Sequence, residues 1–207
     1  KNSPFAQAVV VNSGIANACT GAEGYGYCEK TAQVAERLLG IPASAVLVAS
    51  TGVIGMQLPI ERIEAGVALL AESLSDSEEA GLEAARAIMT TDTQPKYVAV
   101  QVEIGGKMVT VGGMCKGSGM IHPNMCTMLG FVTTDVAITK EMLQKALRED
   151  VKDTYNMVSV DGDTSTNDTV LLLANGMAEN PLIDKEDEKY VAFKEALHYV
   201  NTELAKK

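Results

Sequence analysis

The sequence predicts a layered α/β (α+β) fold in which mixed sheets are covered by packed helices, and three observations carry that expectation. Apolar residues switch repeatedly between helical spacing and short apolar runs, so helices and strands are interleaved along the chain. The stretch YVAVQVEIGGKMVTVGGM alternates on both sides of Gly105-Gly106, the signature of a β-hairpin, so the sheet is not purely parallel. With 207 residues, 46% of them hydrophobic and 21% charged, the chain has material for a well-buried core.

Each element follows in order. FAQAVVVNSG is a short apolar run closed by turn residues, as a buried strand should be. EKTAQVAERLLG puts Ala32, Val34, Ala35, Leu38 and Leu39 on an apolar helical face, with Gly40 and Pro42 as the stop. ASAVLVAS reads as the next strand and runs straight into STGVIG. In LPIERIEAGVALLAESL the residues Ile60, Ile63, Val67, Leu70 and Leu74 recur at helical spacing, and Pro59 suits the start. SDSEEAGLEAARAIMTTD opens with capping and acidic side chains, which favour a helix N-terminus. After the hairpin comes the loop GMCKGSGMIHPNMC, where glycines and Pro123 contort the backbone before Thr127 opens a strand. A helix over TKEMLQKALREDVKDTYN, the polar run VDGDTSTND, an apolar TVLLLA and a charged helix near DKEDEKYVAFKEALHYVNTELAKK complete the chain. No repeat, linker or low-complexity tract interrupts it, so residues 1–207 are expected to form a single domain.

Bulk properties exclude several function classes. A formal charge of −10 repels polyanions, and no basic stripe interleaved with aromatics offers a nucleic-acid surface. No apolar run is long enough to span a bilayer, and the N-terminal stretch lacks the regions of a signal peptide, so a soluble, cytoplasmic chain is expected. Cys19, Cys28, Cys115 and Cys126 form no C-x-x-C pair, and with only two histidines a metal site is not expected; the cysteines read as reduced, mostly buried thiols.

Chemistry points to Thr127. A threonine opening a strand is ordinarily just a good strand former. At the end of a strained loop, however, its hydroxyl can attack the carbonyl of Cys126, pass through an ester and leave a new N-terminus at Thr127. The α-amine so freed, with an ordinary pKa of roughly 8, can serve as base for its own hydroxyl. Acyl chemistry also needs donors for an oxyanion, and STGVIG offers the Thr51 hydroxyl and the approachable backbone of Gly52, although a plain glycine turn would look the same. Lys116 lies in a glycine loop whose order does not match a phosphate-binding P-loop; a carboxylate partner suits it as well. DGDTSTND fails the calcium-loop template at Thr166 and Leu172. His122 and His198 show no triad partners in the sequence, and the methionines around the loop read as packing material.

Taken together, NSGIANACTG, STGVIG, MTTDTQPK, GGMCKGSGMIHPNMCTMLGFVTTD and DGDTSTNDT resemble, in the same order, the glutamate N-acetyltransferase or ornithine acetyltransferase (ArgJ) family of arginine biosynthesis. The resemblance implies a DmpA/ArgJ-type fold and a self-cleaving enzyme that moves an acetyl group from N-acetylornithine to glutamate through an acetyl-threonine. It implies Thr127 as nucleophile, Cys126–Thr127 as the cleavage site, Thr51 and Gly52 as the oxyanion hole, and Thr90, Lys116 and Thr127 as substrate-binding. No cofactor is implied, although some members also take acetyl-CoA as co-substrate. The family assembles as a heterotetramer of two cleaved chain pairs. Cys126 stands where the family usually has Ala, and the chain stops before a family D-G-E-G-A-T segment, so a fragment with weak or no turnover alone is expected. A self-processing amidohydrolase or aminopeptidase, giving the acyl group to water, and a non-catalytic domain in which the Gly/Met loop merely packs are the rival readings.

Overall fold

The computed structural model describes residues 5–118, 128–160 and 165–207. They group into two compact units, residues 1–90 and 91–207, a division that no linker or composition change marks in the sequence.

In the first unit the order is β1 (Ala8–Asn12), α1 (Gly21–Leu39), β2 (Val46–Ser50), α2 (Ile60–Glu72) and α3 (Glu78–Ala87). β1 and β2 pair in parallel, from Ala8 beside Val46 to Asn12 beside Ser50. Helix α1 packs on α2 and β2, and Ala32, Val34, Ala35, Val46 and Val67 form the small core between them. It starts at Gly21 rather than Glu29, because packing overrides the low helix propensity of GAEGYG. A Cβ at Gly24 would lie 2.0 Å from Thr20 Oγ1, so glycine is what lets the helix lie against the preceding loop. Its end is as expected: Gly40 adopts φ 68° and its amide donates to Glu36 O. Residues Ala43–Ala45 coil into a 3-10 turn, which shortens the expected second strand. α2 ends at Glu72, so Leu74 falls beyond it, and Leu70 is exposed, leaving Ile60 and Val67 as the buried positions. Ser77 caps α3 by accepting the Ala80 amide.

The second unit contains β3 (Lys96–Ile104), β4 (Lys107–Lys116), β5 (Leu129–Thr134), α4 (Lys140–Asp153), β6 (Thr169–Ala174) and α5 (Glu188–Lys206). One sheet has the order β3-β4-β5-β6, antiparallel at its first two junctions and parallel between β5 and β6, as the mixed-sheet expectation requires. Gly105 and Gly106, at φ 58° and 78°, make the two-residue hairpin turn between Ile104 and Lys107. Thr139 caps α4 through the Met142 amide, and Asp187 caps α5 through the amides of Lys189 and Tyr190. Helix α5 lies along β3 and β4 with α4 beside it, and Phe193, Leu197, Val200 and Leu204 of α5 pack against Val109, Val111 and Val132 of the sheet.

Candidate active site

Strand direction gathers the sequence motifs of the second unit at one end of its sheet. Lys96 pairs with Cys115, Lys116 with Leu129, and Leu129 with Thr169, so β3 begins, β4 ends, and β5 and β6 begin along the same edge. TDTQPK, KGS, MLG and STND therefore converge there. Sequence periodicity locates each strand but not this junction, which depends on the pairing order.

Asp92 and Lys96 form a buried ion pair at this edge, Lys96 Nζ lying 2.7 Å from Asp92 Oδ1. Their side chains are 0% and 8% exposed respectively, so neither charge is met by bulk water. The same Asp92 oxygen accepts the Gly117 amide at 2.9 Å, and Lys96 donates to the Gly117 carbonyl. Just outside, the Thr91 and Ser118 hydroxyls share a hydrogen bond of 2.5 Å. Gly117 sits at φ 153°, a conformation that favours glycine.

Lys116 is 4% exposed and lines a cavity of about 40 Å³ with Lys96, Cys115, Gly117, Met128 and Tyr155. Among the described residues no carboxylate forms an ion pair with it. Burial lowers its pKa, the Asp92 charge raises it, Lys96 lowers it and Asp168 raises it. A cation so placed is equipped to receive an anionic group. Burial pushes the neighbouring Cys115 thiol up to about 12, which leaves it protonated and unsuited to attack.

Asp168 ties the entrance of β5 to that of β6. Its Oδ1 accepts the Met128 amide at 2.8 Å, while Oδ2 is buried without a hydrogen-bond partner among the described residues. Burial raises this carboxyl to about 6 against the pull of the Met128 amide, the Ser165 hydroxyl and the Lys116 charge. The sequence does not mark Asp168 as a site residue, since it lies in a run that reads as turn and cap chemistry. Thr127 and Cys126 lie outside the described residues, as do His122 and residues 161–164 of the acidic run. The strand expected from Thr127 is described from Leu129 onward.

In the first unit, Thr51 and Gly52 follow β2 directly. The Thr51 amide donates to Asn12 O, and its hydroxyl is fully buried with no hydrogen-bond partner among the described residues. Gly52 adopts φ 130°, and a Cβ there would lie 2.3 Å from Gly14 O. NSGIANACTG is the brace for this turn: Asn12 Oδ1 accepts the Gly14 amide, Asn12 Nδ2 donates to Ile15 O, and the amides of Ala16 and Gly55 donate to Val53 O and Ala18 O. An unpartnered buried hydroxyl beside a glycine with no room for a side chain is the arrangement expected of an oxyanion donor pair. Thr90 is exposed in the bend after α3.

Two sequence readings change. Cys115 is buried and Cys28 half-buried, but Cys19 is exposed at φ 59°, since the turn brings it outward. His198 has a carboxylate neighbour invisible in the sequence: its Nδ1 is 2.7 Å from Asp150 Oδ1, whose other oxygen accepts Asn201 Nδ2. Among the described residues, no group of three His, Cys, Asp or Glu is placed to hold a metal ion, and no helix is long and apolar enough to cross a membrane.

A family model described as the ArgJ family matches residues 1–207. The chain belongs to the ArgJ family. Among similar ArgJ proteins, the arginine biosynthesis bifunctional protein ArgJ of Symbiobacterium thermophilum is 56% identical over 200 residues, 97% of this chain and 49% of that protein. The protein of the same name from Thermotoga neapolitana is 49% identical over 207 residues, 100% of this chain and 51% of its own length. The chain thus spans about half the length of these ArgJ relatives. A crystal structure of arginine biosynthesis bifunctional protein ArgJ from Bacillus halodurans matches with a TM-score of 0.52 and 45% identity, over 56% of this chain and 60% of that one.

Proposed function

We propose that this chain carries the nucleophile-bearing part of an acetyltransferase of arginine biosynthesis, acting in the cytoplasm, that moves an acetyl group from N-acetylornithine to glutamate. The observation that carries the reading is the Thr51 hydroxyl, fully buried beside Gly52 with no hydrogen-bond partner among the described residues. Membership of the ArgJ family and the buried Lys116 amine support it.

In the first step the loop processes itself. Thr127 Oγ attacks the Cys126 carbonyl, the Cys126–Thr127 C–N bond breaks, and an ester forms. Water then hydrolyses the ester, leaving a carboxylate on Cys126 and a free amine on Thr127. For turnover that amine takes the Thr127 hydroxyl proton while Oγ attacks the acetyl carbon of N-acetylornithine. Thr51 and Gly52 donate to the oxyanion of the tetrahedral intermediate; the C–N bond breaks, ornithine leaves with the proton, and acetyl-Thr127 remains. Glutamate's neutral amine attacks this ester, its proton returns to Thr127, and N-acetylglutamate leaves. Lys116 receives a substrate carboxylate and Thr90 contributes to substrate binding. Acetyl-CoA can replace N-acetylornithine as acetyl donor without changing the intermediate. No cofactor is required, and the full-length assembly is a heterotetramer of two cleaved pairs.

The test is mass spectrometry of the full-length protein with a transfer assay. Two masses separated at Cys126 and Thr127 are expected, with ornithine and N-acetylglutamate formed in equal amounts. Thr127→Ala should give one mass and no transfer, and normal ornithine formation by Thr127→Ala would overturn the reading. Formation of ornithine and acetate without N-acetylglutamate would favour the amidohydrolase instead.

A further inference from the structure

We propose that Asp92 and Lys96 are positioning residues for Lys116, gripping both polar groups of Gly117 and so fixing the backbone from which the Lys116 amine reaches its cavity. The proposal rests on the reading of Lys116 as a carboxylate seat and extends it to two residues that act through the backbone beside it, Lys96 also lining the same cavity. Its basis is geometric. One carboxylate oxygen serves both the Lys96 ammonium and the Gly117 amide, and the same ammonium serves the Gly117 carbonyl. The clamp therefore closes on a single residue, directly after Lys116 and in a backbone conformation that chain sterics alone do not hold.

Energetics argue against a purely stabilising role. Desolvating two charges costs several kcal/mol, and an apolar pair of similar volume is often as stable or more so. What an apolar pair cannot supply is a donor and an acceptor aimed at one peptide residue. The pair is formed from positions four apart at the start of β3, while Gly117 follows the end of β4, so the clamp also joins two antiparallel strands where the site is assembled.

The charges also act on Lys116 in opposite senses, which separates the two members experimentally. Asp92 raises the Lys116 pKa and Lys96 lowers it, with Asp168 the other charge acting on it. Asp92→Asn keeps an acceptor for the Gly117 amide but removes the anion; Lys96→Met removes the donor to the Gly117 carbonyl and the cation. In the full-length protein each variant is expected to raise KM for N-acetylornithine at least about tenfold, a loss of about 1.4 kcal/mol in binding, with kcat changed less than about threefold. Competitive labelling of Lys116 with an amine reagent across pH, read by peptide mass spectrometry, should show its pKa falling in Asp92→Asn and rising in Lys96→Met. Thr91→Val, which breaks only the exposed hydroxyl pair, is the mild variant for use if the others fail to fold; about a twofold rise in KM is expected. Unchanged KM in every folded variant would overturn the proposal, as would shifts of the Lys116 pKa in the same direction. If the parent protein does not release ornithine at all but the opposite labelling shifts are present, the functional reading fails and the positioning of Lys116 stands.

Discussion

Replacing Gly52 by Ala would set a methyl group 2.3 Å from the Gly14 carbonyl oxygen, a backbone atom that cannot swing aside. At φ 130° the new residue would also be strained, so Gly52→Ala should destabilise the protein by about 3 kcal/mol or more, measured by urea denaturation. Thr51→Val is the complementary change: the hydroxyl has no partner to lose among the described residues, so stability should be nearly unaffected while acetyl transfer falls by about 100-fold or more, measured as kcat. Asp168 makes a pH-dependent statement. Its carboxyl is raised from 3.8 to about 6, so between those pH values the folded chain binds more protons than the unfolded one and stability falls as pH rises. Asp168→Asn can still accept the Met128 amide. It should therefore stabilise the protein by about 1 kcal/mol at pH 7.5, after allowance for partial exposure, and give no gain below about pH 4. Denaturant midpoints at the two pH values check both signs. Thr51 and Gly52 were legible as candidates because hydroxyl and glycine adjoin a strand end. Asp168 was not, because its partner Met128 lies 40 positions away and only sheet pairing brings them together.

Helix α5 is the element on which the four-stranded sheet depends. Phe193 is fully buried on it, between the sheet and α4, and Phe193→Ala should cost about 3–5 kcal/mol by calorimetry or denaturant titration. Loss of the α4 cap in Thr139→Ala should cost only about 1 kcal/mol. Most elements could be read from pattern alone, and the hairpin most fully, since the alternation of β3 and β4 and the demand for two positive φ values at Gly105-Gly106 specify the same turn. The failures have physical causes. GAEGYG lies ahead of the helix start expected at Glu29 because glycine is a poor helix former, and within it the close approach to Thr20 explains Gly24. Leu70 keeps helical spacing yet is exposed, since spacing cannot tell which face a neighbour covers.

Across the molecule the two units differ in the depth of their cores. Residues 91–207 enclose a continuous cluster running from Ile104 through Val132 to Leu204, whereas the cluster in residues 1–90 is the smaller set Ala32, Val34, Ala35, Val46 and Val67. Hydrogen exchange should accordingly show the amides of β4, β5 and α5 protected longest and those of α2, where Leu69 and Leu70 face water, exchanging early.

The run of strand ends that joins Lys96, Lys116, Leu129 and Thr169 has a practical corollary for anyone wishing to tag this protein. At about 3.4 Å per residue, the length of β3 places the Gly105-Gly106 tip some 30 Å from those strand ends. A dye attached through exposed Lys107 should therefore report unfolding without touching the edge where Lys96, Lys116 and Asp168 lie.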